Sequence, residues 1–143
     1  MAKSKIGTSS TEEHMHYSVG AIIKKDDTYL LIDRVKPPLG FAAIAGHIDK
    51  GETPTQALQR EVQEESGLTV TNRKLLFEEE LNWNTCHRSV ETHYWYVFEC
   101  ETSGGIEKNE NEAKNINWCT KEQIQQLQLE PVWKHWFTKL SIL

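Results

Sequence analysis

The segment Gly46 to Leu68, GHIDKGETPTQALQREVQEESGL, constrains the fold of this chain more than any other, because here the residue pattern changes from extended to helical. Thr53 can cap a helix, Pro54 fits a first turn, Gln56 completes a capping-box pattern and Gly67 suits a helix exit, which predicts a helix over Thr53–Ser66. On a period of 3.6 residues, Glu61, Glu64 and Glu65 fall on one arc with Leu58 and Val62 beside it. One flank can therefore bury against a sheet while the adjacent flank turns carboxylates towards a cleft.

The surrounding segments read as that sheet. Tyr17 to Lys24 (YSVGAIIK) and Thr28 to Arg34 (TYLLIDR) are strand candidates joined by a hairpin, Phe41 to Ala45 can form a short strand after Pro37 and Pro38, and Leu75 to Leu81 and Thr92 to Cys100 are further extended runs. Alternation in the last run places Tyr94, Tyr96 and Phe98 on one face and His93, Trp95 and Val97 on the other. TSGG at 102–105 reads as a turn. Thr120 to Leu127 and Pro131 to Leu140 are the remaining helix candidates, the first capped by Thr120 with Gln123. The expected class is α/β or α+β around a sheet, with 1–13 as a loose polar arm and 14–143 as a single domain.

A length of 143 residues holds one domain of ordinary size. The formal charge of −5 repels polyphosphate and nucleic acid, so an anionic substrate needs local help and no stable nucleic-acid partner is expected. Cys86, Cys100 and Cys119 fit neither a disulfide framework nor a zinc pattern, no apolar run spans a bilayer, and the first residues are polar; a soluble cytoplasmic protein is the expectation.

Three neighbouring carboxylates repel one another, at a cost of a few tenths of a kcal/mol per pair even on an exposed helix and more in a cleft. A cation relieves that cost, and clustered hard oxygen ligands suit Mg²⁺, or Mn²⁺, better than zinc. Such an ion would polarise phosphorus and lower the pKa of an attacking water, with one carboxylate free to act as base. Arg60 could tether Glu52 or a neighbouring carboxylate and so fix the geometry. Gly46, Gly51 and Gly67 would serve tight turns around the helix. No P-loop is present, because GHIDKGET lacks the required spacing and ending.

Read in order, Gly46, Glu52, Arg60, Glu61, the apolar Val62, Glu64, Glu65, Gly67 and Leu68 match the signature of the Nudix hydrolases at every fixed position, and the chain resembles that family. The resemblance implies an α/β/α sandwich around a mixed sheet and a Mg²⁺- or Mn²⁺-dependent hydrolase of nucleoside diphosphates linked to another group. It implies that Glu61, Glu64 and Glu65 bind metal with backbone near Gly46, that Arg60 and Glu52 orient them, and that a later acidic residue assists, with Glu112 the first candidate and Glu110 the second. In general character the chain resembles the MutT-like nucleoside triphosphate pyrophosphohydrolases. It departs at His47, where many relatives have a second glycine; that side chain can contact phosphate, donate a proton or face solvent.

Neither the proline of ADP-ribose hydrolases nor the tyrosine of dinucleoside polyphosphate hydrolases occurs around Asn82, Trp83, Asn84 and Thr85. A small nucleoside triphosphate cleaved to monophosphate and pyrophosphate is the remaining expectation. Nucleotide sugars or alcohols, and a nucleotide-binding module without turnover, are the alternatives. Phe41, Trp83 and Trp95 are candidates for stacking on a base, and Arg34, Lys36 and Arg88 for phosphate. His14 and His16 with Glu12 and Glu13 form a tract with no assigned role, and Cys86–His87 gives little support for covalent catalysis. The Trp133, Trp136 and Phe137 helix could serve a homodimer contact or a core edge.

Overall fold

The computed structural model describes residues 4–10, 14–83 and 92–143. Its elements are β1 (Ile6–Thr8), β2 (His14–Lys25), β3 (Thr28–Arg34), β4 (Phe41–Ala42), β5 (Ile44–His47), α1 (Pro54–Ser66), β6 (Thr69–Leu81), β7 (Thr92–Ser103), β8 (Ala113–Thr120), α2 (Lys121–Ile124) and α3 (Pro131–Lys139). The main sheet path runs β4-β3-β2-β7-β6, with β1 and β5 paired to β2 and β8 paired to β3. Among the described strands, only the β2–β7 pairing is parallel, from Met15↔Thr92 to Ile23↔Cys100, so the sheet is mixed.

The β2–β3 hairpin turns on Asp26 and Asp27, with Lys25 opposite Thr28 and Asp26 at φ 53°, a conformation that Asp tolerates better than most residues. After two residue pairs the strands diverge, leaving β2 free to pair through Ser18–Ala21 with β5. The extended segment expected at Phe41 to Ala45 is thus two strands, β4 on β3 and β5 on β2.

Alternation along β7 divides the interior in two. Phe98 and the half-buried Tyr96 join Val19, Ile23, Ala57, Leu58 and Val62 in a cluster beneath α1. Trp95 and Val97 join Ile22, Leu31 and the α3 residues Val132, Trp133, Trp136 and Phe137 in a cluster on the opposite face. A mixed sheet with a helix covering each face is the expected α/β/α sandwich. Trp133, Trp136 and Phe137 are fully buried; at roughly 200 Å² per aromatic side chain and about 25 cal/mol per Å², each contributes on the order of 5 kcal/mol before entropy is counted. They form core, so this face of α3 is closed to a dimer contact.

Three features differ from the expectations. The arm expected over 1–13 includes β1, which pairs Ile6 with His16 and Thr8 with His14 and satisfies backbone groups along the edge of β2. Ala113–Thr120, whose pattern predicts no element, is strand β8; its Lys and Asn side chains face outward and obscure the alternation, while Ala113 and Cys119 are buried. The second helix shrinks to Lys121–Ile124, although its capping box on Thr120 and Gln123 forms. Among the described residues, no helix is long and apolar enough to cross a membrane.

Candidate active site on helix α1

Local signals place α1. The Thr53 hydroxyl accepts from the Gln56 amide at 3.2 Å, and the Gln56 side chain accepts from the Thr53 amide at 2.9 Å. At the other end Gly67, at φ 76°, ends the helix in the left-handed conformation. Ala57, Leu58 and Val62 anchor the helix to the sheet, and Glu65, on the same side, is drawn down to 3 % exposure.

Arg60 organises the carboxylates around it. Its Nε and Nη2 donate to the two oxygens of Glu52 at 2.8 and 2.9 Å, its Nη1 donates to Glu61 at 2.8 Å and Glu64 at 3.3 Å, and Nη2 also donates to the His47 carbonyl at 2.9 Å. Asp49 stands 3.3 Å away and its amide donates to Glu52. The guanidinium fork thus joins α1 to the turn before it and to the end of β5. Its hydrogen bond holds the Glu52 carboxyl below the usual carboxylate range, and the Glu52 contact raises the pKa of Arg60.

Glu61 and Glu65 are shifted the other way. Burial is the main cause for Glu61, whose pKa is pushed up to about 7 against the opposing pull of Arg60, with Glu64 and Glu112 adding repulsion. Burial also drives Glu65 well above its ordinary value, helped by Glu61 and Glu112, while Arg34 and a hydrogen bond from the Ala45 backbone pull the other way. Oε2 of Glu65 is buried without a hydrogen-bond partner among the described residues. Gly46 completes the cradle. A Cβ on Gly46 would overlap the Glu61 carboxyl group, so only glycine lets the β5 backbone approach it. This is its role in place of the expected turn: Gly46 lies within a strand, whereas Gly51 and Gly67 hold the positive-φ positions.

These observations fit a hard divalent cation. Two carboxylates raised chiefly by burial, with repulsion from neighbouring carboxylates added, one oxygen of Glu65 without a partner among the described residues and a backbone held close by glycine form an oxygen-rich site whose charge a cation would compensate. Glu64 is more open, with its side chain 55 % exposed. Glu112 lies beside the cluster, since its charge acts on both Glu61 and Glu65, and it pairs with Lys36 at 3.5 Å.

The substrate candidates separate on inspection. Trp95 is 5 % exposed and packs edge-on against Trp133 and Trp136, at centroid distances of 6.2 and 5.9 Å; it belongs to the core and offers no ring face to a nucleobase. Phe41 is half-buried against the same core, its amide donating to Gln128 and its carbonyl accepting from Glu130. Arg34 donates to the Pro38 carbonyl at 2.9 Å and lies 3.6 Å from Glu130. Trp83 is 45 % exposed, with its ring edge-on to His135 at 5.6 Å. His47 turns its side chain to the sheet face opposite the carboxylates, where its ring meets His16 and His93. Asn84, Thr85, Cys86, His87 and Arg88, like Glu12 and Glu13, lie outside the described residues.

Sequence reasoning missed Asp49, Glu130 and the histidine cluster. Asp49 lies inside the signature run, three residues from Glu52. Glu130 precedes Pro131 at the start of α3 and is 4 % exposed, and burial pushes its carboxyl up to about 7. The ligand nitrogens of His16, His47 and His93 lie within 4.8 Å of one another, an arrangement able to coordinate a metal ion; positions so far apart in the chain carry no local signal of it.

The family model of the NUDIX domain matches residues 14–140. The chain belongs to the Nudix family. A nucleoside triphosphatase NudI from Enterobacter sp. (strain 638) is 30 % identical over 132 residues, covering 85 % of this chain and 94 % of the relative. An NAD-capped RNA hydrolase from Homo sapiens is 31 % identical over 107 residues, covering 72 % of this chain; the match covers only 21 % of that longer protein. Among solved structures, the MutT NUDIX hydrolase from Burkholderia pseudomallei superposes with a TM-score of 0.69 at 23 % identity, covering 78 % of this chain and 87 % of the other, a likeness of fold. This Nudix protein is an enzyme of the family's phosphoanhydride-hydrolase class.

Proposed function

We propose that this Nudix hydrolase cleaves a small nucleoside triphosphate to monophosphate and pyrophosphate, with Mg²⁺, or Mn²⁺, held by Glu61, Glu64 and Glu65 and by backbone at Gly46. The observation that carries the reading is the buried Oε2 of Glu65, without a partner among the described residues, beside a Glu61 raised to about 7: two carboxyls that a cation would hold charged at neutral pH. When bound, the ion would polarise phosphorus and acidify an attacking water. The chain's own contribution is geometric. Arg60 fixes Glu52, Glu61 and Glu64 relative to β5, Glu112 adds a carboxylate from across the cleft, and α1 excludes water from beneath the cluster through Leu58 and Val62. A carboxylate of the cluster that is left uncoordinated takes the proton of the attacking water.

The triphosphate assignment rests on the absence of the proline and tyrosine markers and on the likeness to a nucleoside triphosphatase along nearly its whole length. Trp83 supplies the exposed ring for the base. The likeness to an NAD-capped RNA hydrolase favours a second reading, cleavage of a dinucleotide pyrophosphate linkage. A panel of nucleoside triphosphates, nucleotide sugars, nucleotide alcohols and dinucleotides, assayed with Mg²⁺, Mn²⁺ or chelator and with products resolved, tests both. Metal-dependent pyrophosphate release from a triphosphate supports the first reading; monophosphates released from a dinucleotide, with triphosphates untouched, would replace it with the second.

A further inference from the structure

We propose that His16, His47 and His93 form a second metal site, specific for a nitrogen-seeking transition ion such as Zn²⁺, on the sheet face opposite the carboxylate helix. Strand pairing builds it. His16 on β2 lies opposite His93 on β7, and His47 on β5 lies opposite Ser18, two residues along β2 and on the same face as His16. Alternation gives that face its identity: Trp95 and Val97, in phase with His93, pack into the α3 cluster, while Gly46, one residue before His47, faces Glu61.

The geometry suits coordination. The three imidazoles offer ligand nitrogens within 4.8 Å of one another, and their ring centroids are 4.6, 5.5 and 5.8 Å apart. A tetrahedral ion with metal–nitrogen bonds of about 2.0 Å places its ligand nitrogens roughly 3.3 Å apart, which small rotations of the rings reach. His93 is 1 % exposed and His16 6 % exposed, and all three residues stand on paired strands, which hold ligands more precisely than loops. Three neutral nitrogens with a fourth position for water suit Zn²⁺ and its neighbours and are poor ligands for Mg²⁺, whereas the carboxylate cluster has the reverse preference. The two sites would therefore sort metals by donor chemistry across one sheet. An ion here ties β5, whose Gly46 shapes the carboxylate cradle, to β2 and β7.

The test reads metal binding and stability, so it stands apart from any outcome of the hydrolysis assays. The full chain is dialysed against micromolar Zn²⁺ in excess Mg²⁺ and its zinc content and thermal midpoint are measured, alongside His16→Gln and His47→Gly, with circular dichroism verifying the fold. The expected result is a single zinc per chain that raises the midpoint of the wild type, with affinity at least about tenfold weaker in each variant. Co²⁺ substituted for zinc should give the strong visible bands of a tetrahedral ion, insensitive to Mg²⁺. Equal zinc in wild type and folded variants, no zinc in the wild type, or a weak octahedral Co²⁺ spectrum abolished by Mg²⁺ would each overturn the site. Should His16→Gln fail to fold, the more exposed His47→Gly decides the result.

Discussion

Arg60 is the residue on which the carboxylate geometry depends. Its planar fork satisfies both oxygens of Glu52 and reaches Glu61, Glu64 and the His47 carbonyl at once, a set of directions that a lysine ammonium cannot reproduce. Arg60→Lys should lower stability by about 1–2 kcal/mol in urea denaturation and metal-dependent turnover by about 10–100-fold, since these are partly exposed contacts that orient metal ligands. Wild-type values for both would show that the fork has no orienting role. At Glu65 the sign is opposite. A charge there is disfavoured by burial and by Glu61 and Glu112, so Glu65→Gln should leave the thermal midpoint of the metal-free protein unchanged or raised; a clear fall would mean that the carboxylate is held by favourable contacts. The spacing of Glu52, Arg60, Glu61, Glu64 and Glu65 was legible in the sequence because all five belong to one helix and its entry turn. Trp95 was misplaced among ligand contacts because alternation assigns a face without saying what covers it. The histidine cluster was invisible because strand register alone gathers positions 16, 47 and 93.

At the scale of elements, caps and faces decide. The reciprocal Thr53–Gln56 box fixes where α1 begins, and with it the angular position of every glutamate on the helix. Thr53→Ala should cost about 1 kcal/mol, read as a lower urea midpoint at constant m-value. On the other face, Trp136 is fully buried among Phe77, Trp95 and His135. Its replacement by Ala should cost about 3–5 kcal/mol by thermal or urea unfolding, and a loss below about 1 kcal/mol would contradict its place in the core. These elements were readable because helix caps and the aromatic alternation of β7 are local patterns. β8 was not, because three of its eight residues are Lys or Asn and its strand character comes from pairing along β3 between Thr28 and Arg34. β1 likewise takes its conformation from the edge of β2.

For the molecule as a whole, pH and metal act on the same charges. Glu61 and Glu130 are raised from 4.5 to about 7, and Glu65 is raised further. Between the ordinary and the raised values the folded protein holds more protons than the unfolded chain, so stability is full below about 4.5 and falls as pH climbs through about 7. Glu52 and Glu79, held low by Arg60 and Lys139, act oppositely: their contribution is present above 4.5 and is lost as pH falls below it. The metal-free protein should therefore lose thermal stability between about pH 5 and pH 8, and Mg²⁺ should restore the part due to Glu61 and Glu65 while leaving that of Glu130. A flat profile without metal would contradict the buried-carboxylate account. The central claim, that these carboxylates hold the ion that serves hydrolysis, is tested most directly by pyrophosphate release from nucleoside triphosphates by wild type and Glu65→Gln, each with Mg²⁺ and with chelator. Chelator should abolish turnover, and a fully folded Glu65→Gln should turn over about 10²–10⁴-fold more slowly; turnover that is equal in the two proteins, or that persists in chelator, would show that these carboxylates do not hold a catalytic ion.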